Sequence, residues 1–172
     1  ISTPYGSINV NTFVGHLNRN IQILPGPDTA WGVNLLVYGF MDGDVNRVGS
    51  VKLIGVQIIN GGQYDTTASA LQFLNVVGAN YSSLIQGTSF VNCRDWCVNI
   101  NNAMNVTFEN NVFYKGKVFG VQAVTVKNFQ FTNNLIIGIV NRASMAVGTE
   151  LVACFGTYEY INPATDNVAI KD

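Results

Sequence analysis

The sequence predicts an all-β protein that forms a right-handed parallel β-helix, a solenoid with a repeat period of about 23 residues in each coil. The first observation is a repeat, because residues 94–114 align without a gap with residues 117–137. The aligned pairs include Trp96 with Phe119, Val98 with Val121, Asn105 with Asn128, and Phe108 with Phe131. A fixed period in this range is typical of solenoids, in which each unit buries its apolar face only against its neighbours.

The second observation is strand periodicity inside each unit. Residues 106–108 and 129–131 alternate between apolar and polar side chains, and residues 98–100 and 121–123 form a second short alternating segment. No unit contains the roughly ten or more residues of helical periodicity that a helix would need. Short strands separated by Asn and Gly turns therefore predict parallel strands that stack about 4.8 Å apart. Their crossovers are expected to be right-handed.

The repeat continues on both sides of these two units. Residues 83–92 begin one repeat period before Val106, and residues 51–60 precede them by clearly more than one period. The longer spacing predicts a loop insertion that includes residues 61–67. At the far end, residues 167–172 resemble the opening of the unit that begins at Asn105.

We therefore expect a single β-helix domain over residues 1–172. Its clearest coils are predicted in residues 51–140, and residues 141–172 are predicted to add a further coil. Because the last residues begin another coil, we expect the chain to be a piece of a longer solenoid. The strand edges at its two ends would then be continued by more chain or covered by another subunit.

Asparagine has two predicted uses in this fold. Hydrophobic residues make up 48% of the chain and charged residues 11%, and Asn fills much of the missing polar share. Asn tolerates left-handed turn conformations, and it can stack side chain on side chain in successive coils. The doublets Asn110-Asn111 and Asn133-Asn134 recur at one phase of the repeat. We predict an internal ladder at the doublets and turn positions elsewhere.

The charge balance disfavours several classes of partner. The net charge is −1, the sequence pI is about 5.7, and the nine basic residues show no cluster along the chain. Nucleic-acid binding and attachment to acidic membranes are therefore disfavoured. No apolar run is long enough to cross a bilayer, so we expect no membrane insertion by this segment. No phosphate loop or dinucleotide fingerprint is present, and we expect no cofactor.

Cysteines and glycosylation patterns bear on the compartment. Cys93 and Cys97 lie close together in sequence, whereas Cys154 stands alone. A local disulfide across a turn fits a secreted protein, and buried free thiols fit the same residues equally well. Asn80 and Asn105 each begin an Asn-x-Ser/Thr acceptor pattern. Asn80 has a loop-like context, whereas Asn105 begins a strand.

Candidate catalytic and metal-binding residues are few. Asp65 and Asp95 follow core strands in adjacent coils, and two carboxylates about 5–9 Å apart can hydrolyse a glycosidic bond. Asp42 and Asp44 begin an Asp-x-Asp-x-Asn stretch that resembles the start of a calcium loop. The glycine and distal glutamate of that signature are missing, and a polar β-turn explains the same residues. His16 is the only histidine, so no second imidazole is present.

Aromatic residues suggest carbohydrate contacts. Trp31 directly precedes the Gly-rich segment 32–43, and Tyr38 and Phe40 lie within it. Exposed rings on a β-helix can stack on sugar rings. Trp96 and Phe119 share one phase of the repeat, so we predict that they stack together in or against the core.

The order of these segments resembles a known family. Proteins of that family contain a G8 domain followed by parallel β-helix repeats, and the resemblance covers about residues 14–140. The matching segments are residues 14–23, 51–63, 92–100 and 105–114. The family includes fibrocystin-like proteins and cell-surface hyaluronidases, which are large extracellular or membrane-anchored proteins. The resemblance therefore implies a β-helix within a larger protein on the cell surface.

One departure from the family bears on catalysis. Hyaluronidase-type members carry a His-Phe-His phrase where this chain has Gln72, Phe73 and Leu74. Neither Gln nor Leu can act as a general base or bind a metal as imidazole does. The resemblance thus implies the fibrocystin-like, non-catalytic branch, a structural and adhesive rod on an extracellular or ciliary surface that binds protein or glycan. The alternative is a polysaccharide-active hydrolase or lyase on a β-helix, since fold does not decide function.

Overall fold

The computed structural model describes residues 2–3, 6–7, 14–27, 31–64, 66, 68–141, 153–158 and 168–171. The described residues form strands and no helix, so the described fold is all-β, as predicted. The strands are β1 Ser2–Thr3, β2 Gly6–Ser7, β3 Ile21–Ile23, β4 Leu35–Asp42, β5 Val45–Val48, β6 Lys52–Ile54, β7 Val56–Ile59, β8 Leu71–Val76, β9 Ser83–Gln86, β10 Ser89–Val91, β11 Val98–Glu109, β12 Val112–Lys117, β13 Phe119–Thr132, β14 Leu135–Val140, β15 Ala153–Tyr158 and β16 Ala169–Lys171. No helix long and apolar enough to cross a membrane occurs among the described residues.

The strands form three stacks in which neighbouring strands run parallel. The first stack holds β3, β7, β10, β12 and β14. The second holds β4, β8, the first halves of β11 and β13, and β15. The third holds β6, β9, the second halves of β11 and β13, and β16. Antiparallel pairing joins β1 with β2 and β4 with β5.

A constant register links the regular units. Strands β11 and β13 pair at an offset of one repeat period from Val98–Val121 to Glu109–Thr132. The same offset joins β9 with β11, β10 with β12, and β12 with β14. The pairing predicted from the repeat is therefore confirmed at these positions. It arises because side chains of the same kind recur at the same phase and face the same neighbours.

The longer spacing of the earlier unit has two sources, of which the sequence predicted one. The sequence separation of paired positions is 32 between β7 and β10, 27 between β8 and β11, and 23 between β9 and β11. The separation falls from 32 to 27 across residues 60–70, which include the predicted loop. The separation falls again, from 27 to 23, across residues 77–82, where no insertion was predicted. The prediction of one insertion was therefore wrong, because the extra residues are divided between two loops.

Three corners connect the stacks. The tight corner joins the third stack to the first at Gly55, residues 87–88, 110–111 and 133–134. The disulfide corner joins the first stack to the second at residues 60–70 and 92–97. The hairpin corner joins the second stack to the third at residues 39–51, 77–82 and 104–105. The lengthened loops lie at the disulfide and hairpin corners, whereas the sequence separation of paired positions stays the same across the tight corner.

Side chains from all three stacks meet in one core. The Phe108 ring in the third stack lies 6.3 Å from Phe73 in the second and 6.4 Å from Phe113 in the first, measured between ring centroids. All three side chains are fully buried. Phe131, one repeat after Phe108, lies 6.1 Å from it and is also buried. The predicted inward stacking is therefore confirmed, and each buried ring stabilises the fold by about 1.5–3 kcal/mol.

Asparagine serves both predicted purposes at the tight corner. Asn110 and Asn133 adopt left-handed backbone conformations with φ of 55° and 52°. The next residue in each doublet forms the ladder, in which the Asn111 Nδ2 donates to Asn134 Oδ1 at 2.9 Å. Asn111 Oδ1 also accepts a hydrogen bond from the buried Thr88 backbone N–H at 2.9 Å. The doublets thus turn the chain with one residue and satisfy buried backbone groups with the next.

Two strands beyond residue 141 extend this arrangement. Strand β15 pairs in parallel with the first half of β13, and β16 pairs in parallel with its second half. They add one layer to the second and third stacks. Residues 142–152 and 159–167 lie outside the described residues.

Candidate functional sites at two corners

The hairpin corner is built by a tight turn between β4 and β5. Asp42 pairs with Val45, and Gly43 at the first central position of the turn has φ of 60°. The Asp42 carboxylate is 3.3 Å from the Arg47 Nε, and both side chains are more than half exposed. Such exposed ion pairs contribute little to stability. Asp42 and Asp44 therefore lie at a polar β-turn, and no cluster of three potential metal ligands occurs among the described residues.

Two aromatic rings project from β4 at this corner. Tyr38 and Phe40 are 46% and 51% exposed, and their rings are nearly parallel with centroids 6.1 Å apart. They occupy alternate positions on one strand, so they project from the same face of the sheet. Contiguous exposed apolar surface of this kind can mark a ligand-binding groove. Trp31, which the sequence analysis grouped with them, is 63% exposed but does not line the same groove.

Amide side chains surround the two rings. A groove of about 460 Å³ is lined by Tyr38, Phe40, Asn46, Asn75 and Asn102, among others. The Asn102 Nδ2 donates to Asn75 Oδ1 at 3.0 Å, and the Asn46 Nδ2 donates to the Val77 carbonyl at 2.9 Å. These bonds fix the orientation of the amides and leave other amide donors and acceptors for a ligand. Apolar rings beside oriented amides are suited to a molecule with both apolar faces and hydroxyl groups.

A close approach of two backbones holds the groove in shape. A Cβ placed on Gly39 would lie 2.1 Å from the Asn75 carbonyl oxygen. No flexible side chain can move to relieve this contact, so position 39 requires glycine. The Gly-rich segment is visible in the sequence, but the packing of one of its glycines against the next unit is not.

The disulfide corner carries the predicted cysteine pair. Cys93 and Cys97 are joined by a disulfide, with their Cα atoms 5.2 Å apart. Both are buried, so the structure has the disulfide and not the alternative of two free thiols. Between them, the Trp96 ring meets Phe119 edge-on at 5.7 Å, which confirms that these residues pack together. Cys154 lies in β15, and its side chain is outside the described part.

The candidate carboxylate pair has one described member. Asp95 lies inside the disulfide loop and is only 1% exposed. A polymer could therefore make almost no contact with this side chain as it stands. Asp65 lies outside the described residues. His16 is exposed and belongs to the segment before β3, and its carbonyl accepts a hydrogen bond from Arg19 at 2.6 Å.

A groove of about 750 Å³ runs across the disulfide corner. Its lining includes Tyr64, Arg94, Lys115 and Lys117. The conclusion that the basic residues form no cluster holds along the sequence but is wrong in three dimensions. Arg94 and Lys117 are separated by one repeat period, so the repeat places them at equivalent positions in neighbouring units. Applying the period to the charged residues would have found this cluster.

The two glycosylation candidates differ in their surroundings. Asn80 is exposed in the 77–82 loop. The Asn105 Nδ2 donates to the Gly78 and Tyr81 carbonyls at 3.2 and 3.1 Å, and its Oδ1 accepts from Asn128 Nδ2 at 2.9 Å. A glycan on the Asn105 nitrogen would disrupt these bonds. Asn80 is therefore the acceptor that the geometry favours.

Gln72 and Leu74 are the two residues that the sequence resemblance compares with histidines. They lie on β8, where Gln72 is buried and Leu74 is half-buried. The Gln72 Oε1 accepts a hydrogen bond from the Asn34 Nδ2 at 3.2 Å. Gln72 therefore takes part in a structural amide contact.

Comparison with known proteins found no match to this chain. No family model matches the chain, and no curated protein or solved structure matches it. The resemblance to the G8 and β-helix repeat family therefore rests on the sequence segments alone.

Proposed function

We propose that this chain is a right-handed parallel β-helix segment of a large, fibrocystin-like cell-surface protein. In this proposal it is a non-catalytic, adhesive rod that binds glycan through the hairpin corner. The observation that carries the proposal is the pair of half-exposed rings, Tyr38 and Phe40, beside the amides of Asn46, Asn75 and Asn102.

The solenoid part of the proposal is supported by the register. Parallel pairing at a repeated offset of one period, in three stacks around one core, is the arrangement expected of successive coils. Parallel crossovers of this kind are almost always right-handed. A rod built in this way is stiff because each coil packs on the next through buried rings such as Phe108 and Phe131.

The extracellular part is supported by two local features. The Cys93–Cys97 disulfide is of a kind that persists in oxidising compartments and is rare in the cytosol. Asn80 is an exposed glycosylation acceptor in a surface loop. Neither feature depends on the resemblance, and both agree with it.

The non-catalytic part is supported by the lack of accessible acid–base groups among the described candidates. Asp95 is buried, and the chain has one histidine. Glycoside hydrolysis uses two carboxylates that both reach the scissile bond. Hydrolysis by the candidate pair Asp65 and Asp95 would require Asp95 to become accessible.

The test is a binding screen on the full chain with neutral oligosaccharides derived from cellulose, xylan, mannan and galactan. Calorimetry with the unchanged protein should detect at least one of them. The double variant Tyr38→Ala/Phe40→Ala should bind it at least about tenfold more weakly, since each ring contact contributes about 1 kcal/mol. Trp31→Ala removes an equally exposed ring outside the groove, so it should leave the affinity unchanged.

Two outcomes would overturn the proposal. One is that no neutral oligosaccharide binds, or that Trp31→Ala weakens binding as much as the double variant. The other is cleavage of any glycan that disappears in Asp95→Asn, which would favour the enzyme alternative.

A further inference from the structure

We propose that the groove of the disulfide corner binds a linear acidic polysaccharide through Lys115, Lys117 and Arg94. This site lies on a different corner from the one in the proposed function and uses different residues. The proposal rests on one observation: three basic side chains and an exposed tyrosine line the same groove.

The floor of the groove is a row of equivalent positions. Asn60, Asn92, Lys115 and Gly138 occupy the same phase in four successive units, and all four have left-handed φ values between 54° and 73°. Adjacent strands are about 4.8 Å apart, so the row extends for about 14 Å. A straight groove with one repeated step is suited to a ligand that is itself a linear repeating chain.

The charge of the groove points to an anion. Arg94, Lys115 and Lys117 line it, and none of its described lining residues is acidic. Lys115 and Lys117 carry like charges two residues apart on β12, and like charges at nearby positions destabilise the unliganded surface. A bound carboxylate or sulfate group removes that repulsion and gains charge-assisted hydrogen bonds.

Aromatic rings hold the two lysines in place. The Lys117 Nζ lies 4.6 Å from the centroid of the Tyr64 ring, and the Lys115 Nζ lies 5.1 Å from that of Tyr114. Cation–π contacts of this kind orient an ammonium group, and its three N–H donors leave some for a ligand. The lysines are thus positioned before a ligand arrives, which lowers the entropy lost on binding.

The surroundings favour a sugar chain over an acidic peptide. Tyr64 is 54% exposed and lies beside the Asn60 and Asn92 amides, which can contact sugar hydroxyl groups. An extended peptide usually binds by pairing with a free strand edge. The two lysines belong to β12, which is hydrogen-bonded on both sides, so a peptide cannot pair with the strand that carries them. The edge strand of this sheet in the described part of the chain is β14, and the polyglutamate control tests whether a peptide binds there.

The experiment measures binding of the full chain to polygalacturonate and to dextran sulfate, with dextran and polyglutamate as controls. We expect binding to at least one acidic polysaccharide, no binding to dextran, and an affinity that falls as salt rises from about 50 to 200 mM. The polygalacturonate and dextran sulfate arms distinguish carboxylate from sulfate as the recognised group.

The variant Lys115→Asn/Lys117→Gln should bind at least about tenfold more weakly, because two charge-assisted contacts are lost. Asn at position 115 matches Asn60 and Asn92 at the equivalent positions, so the left-handed backbone should be kept. Lys127→Gln removes one positive charge from β13 outside the groove and should leave the affinity unchanged. Circular dichroism and thermal melting should show that all variants are folded.

Each remaining outcome overturns the inference. Equal binding of polyglutamate would indicate an acidic peptide as the partner. A loss in Lys127→Gln as large as in the double variant would indicate non-specific attraction to positive charge. Failure of every acidic polysaccharide to bind would exclude the site, and this result is independent of the neutral-sugar test at the hairpin corner.

Discussion

The tight corner and the hairpin corner differ in how they tolerate extra residues. At the tight corner, Asn111 and Asn134 form hydrogen bonds to each other and to backbone groups of the adjacent unit, so an inserted residue would break the ladder. At the hairpin corner, the chain lengthens into the β4–β5 hairpin and the 77–82 loop without disturbing the regular register that follows. Surface loops can lengthen at little entropic cost.

This difference separates stability from surface chemistry. The tight corner and the core hold the units in register, and both candidate binding surfaces lie at the corners where the chain has insertions. Tyr38 and Phe40 come from the hairpin, and Tyr64 comes from the loop at the disulfide corner. Loops on a rigid scaffold are the usual place for binding residues.

The largest expected effect comes from the shared core. Phe108→Ala should lower the free energy of unfolding by about 3–5 kcal/mol, because it leaves a cavity among rings from all three stacks. Phe40→Ala, the matched change at an exposed ring of the hairpin corner, should change it by less than about 0.5 kcal/mol. Urea unfolding of both variants measures the difference. Similar losses in the two variants would contradict the division between core and surface.

A smaller loss of unfolding free energy is expected for a substitution where the hairpin corner meets the next unit. Gly39→Ala should cost about 3 kcal/mol, because the new Cβ would overlap the Asn75 carbonyl oxygen. Hydrogen exchange should show faster opening of the β4–β5 amides than of the β11 amides. The control is Gly26→Ala, since no atom lies within 4 Å of a Cβ at that position. Equal stability of the two variants would show that the close approach at Gly39 does not exist.

Loss of the Asn ladder at the tight corner should lower the free energy of unfolding by about 2 kcal/mol. Asn111→Ala leaves the buried Thr88 N–H without its acceptor, and an unsatisfied buried donor costs about 1–3 kcal/mol. Asn101→Ala changes an exposed Asn on β11 and should be nearly neutral. Thermal melting of the two variants compares them. A neutral result for Asn111→Ala would argue against an internal ladder at this corner.

The regular part of the fold could be predicted from sequence because the same side chains recur at the same phase. The alignment of Phe108 with Phe131, and that of the two Asn doublets, each indicate one position in a repeating unit. The ladder followed from two short polar residues in succession, of which one turns the chain and one points inward.

The insertions and the sites could not be predicted in the same way. The 77–82 loop and the 60–70 loop both lengthen one unit, and the sequence shows only their sum. The contact of Gly39 with Asn75 depends on how the hairpin folds back, which no local pattern states. The cation cluster was missed for another reason: Arg94 and Lys117 are distant along the chain, and only the repeat period brings them together.

Successive regular units of the fold pair in parallel at a fixed offset of one repeat period. Nuclear Overhauser contacts between backbone protons of the full chain test it most directly, because neighbouring parallel strands bring such protons close together. We expect contacts that link residues 98–109 with 121–132, and residues 89–91 with 112–114, in parallel order. Contacts in antiparallel order, or parallel contacts at another offset, would contradict it.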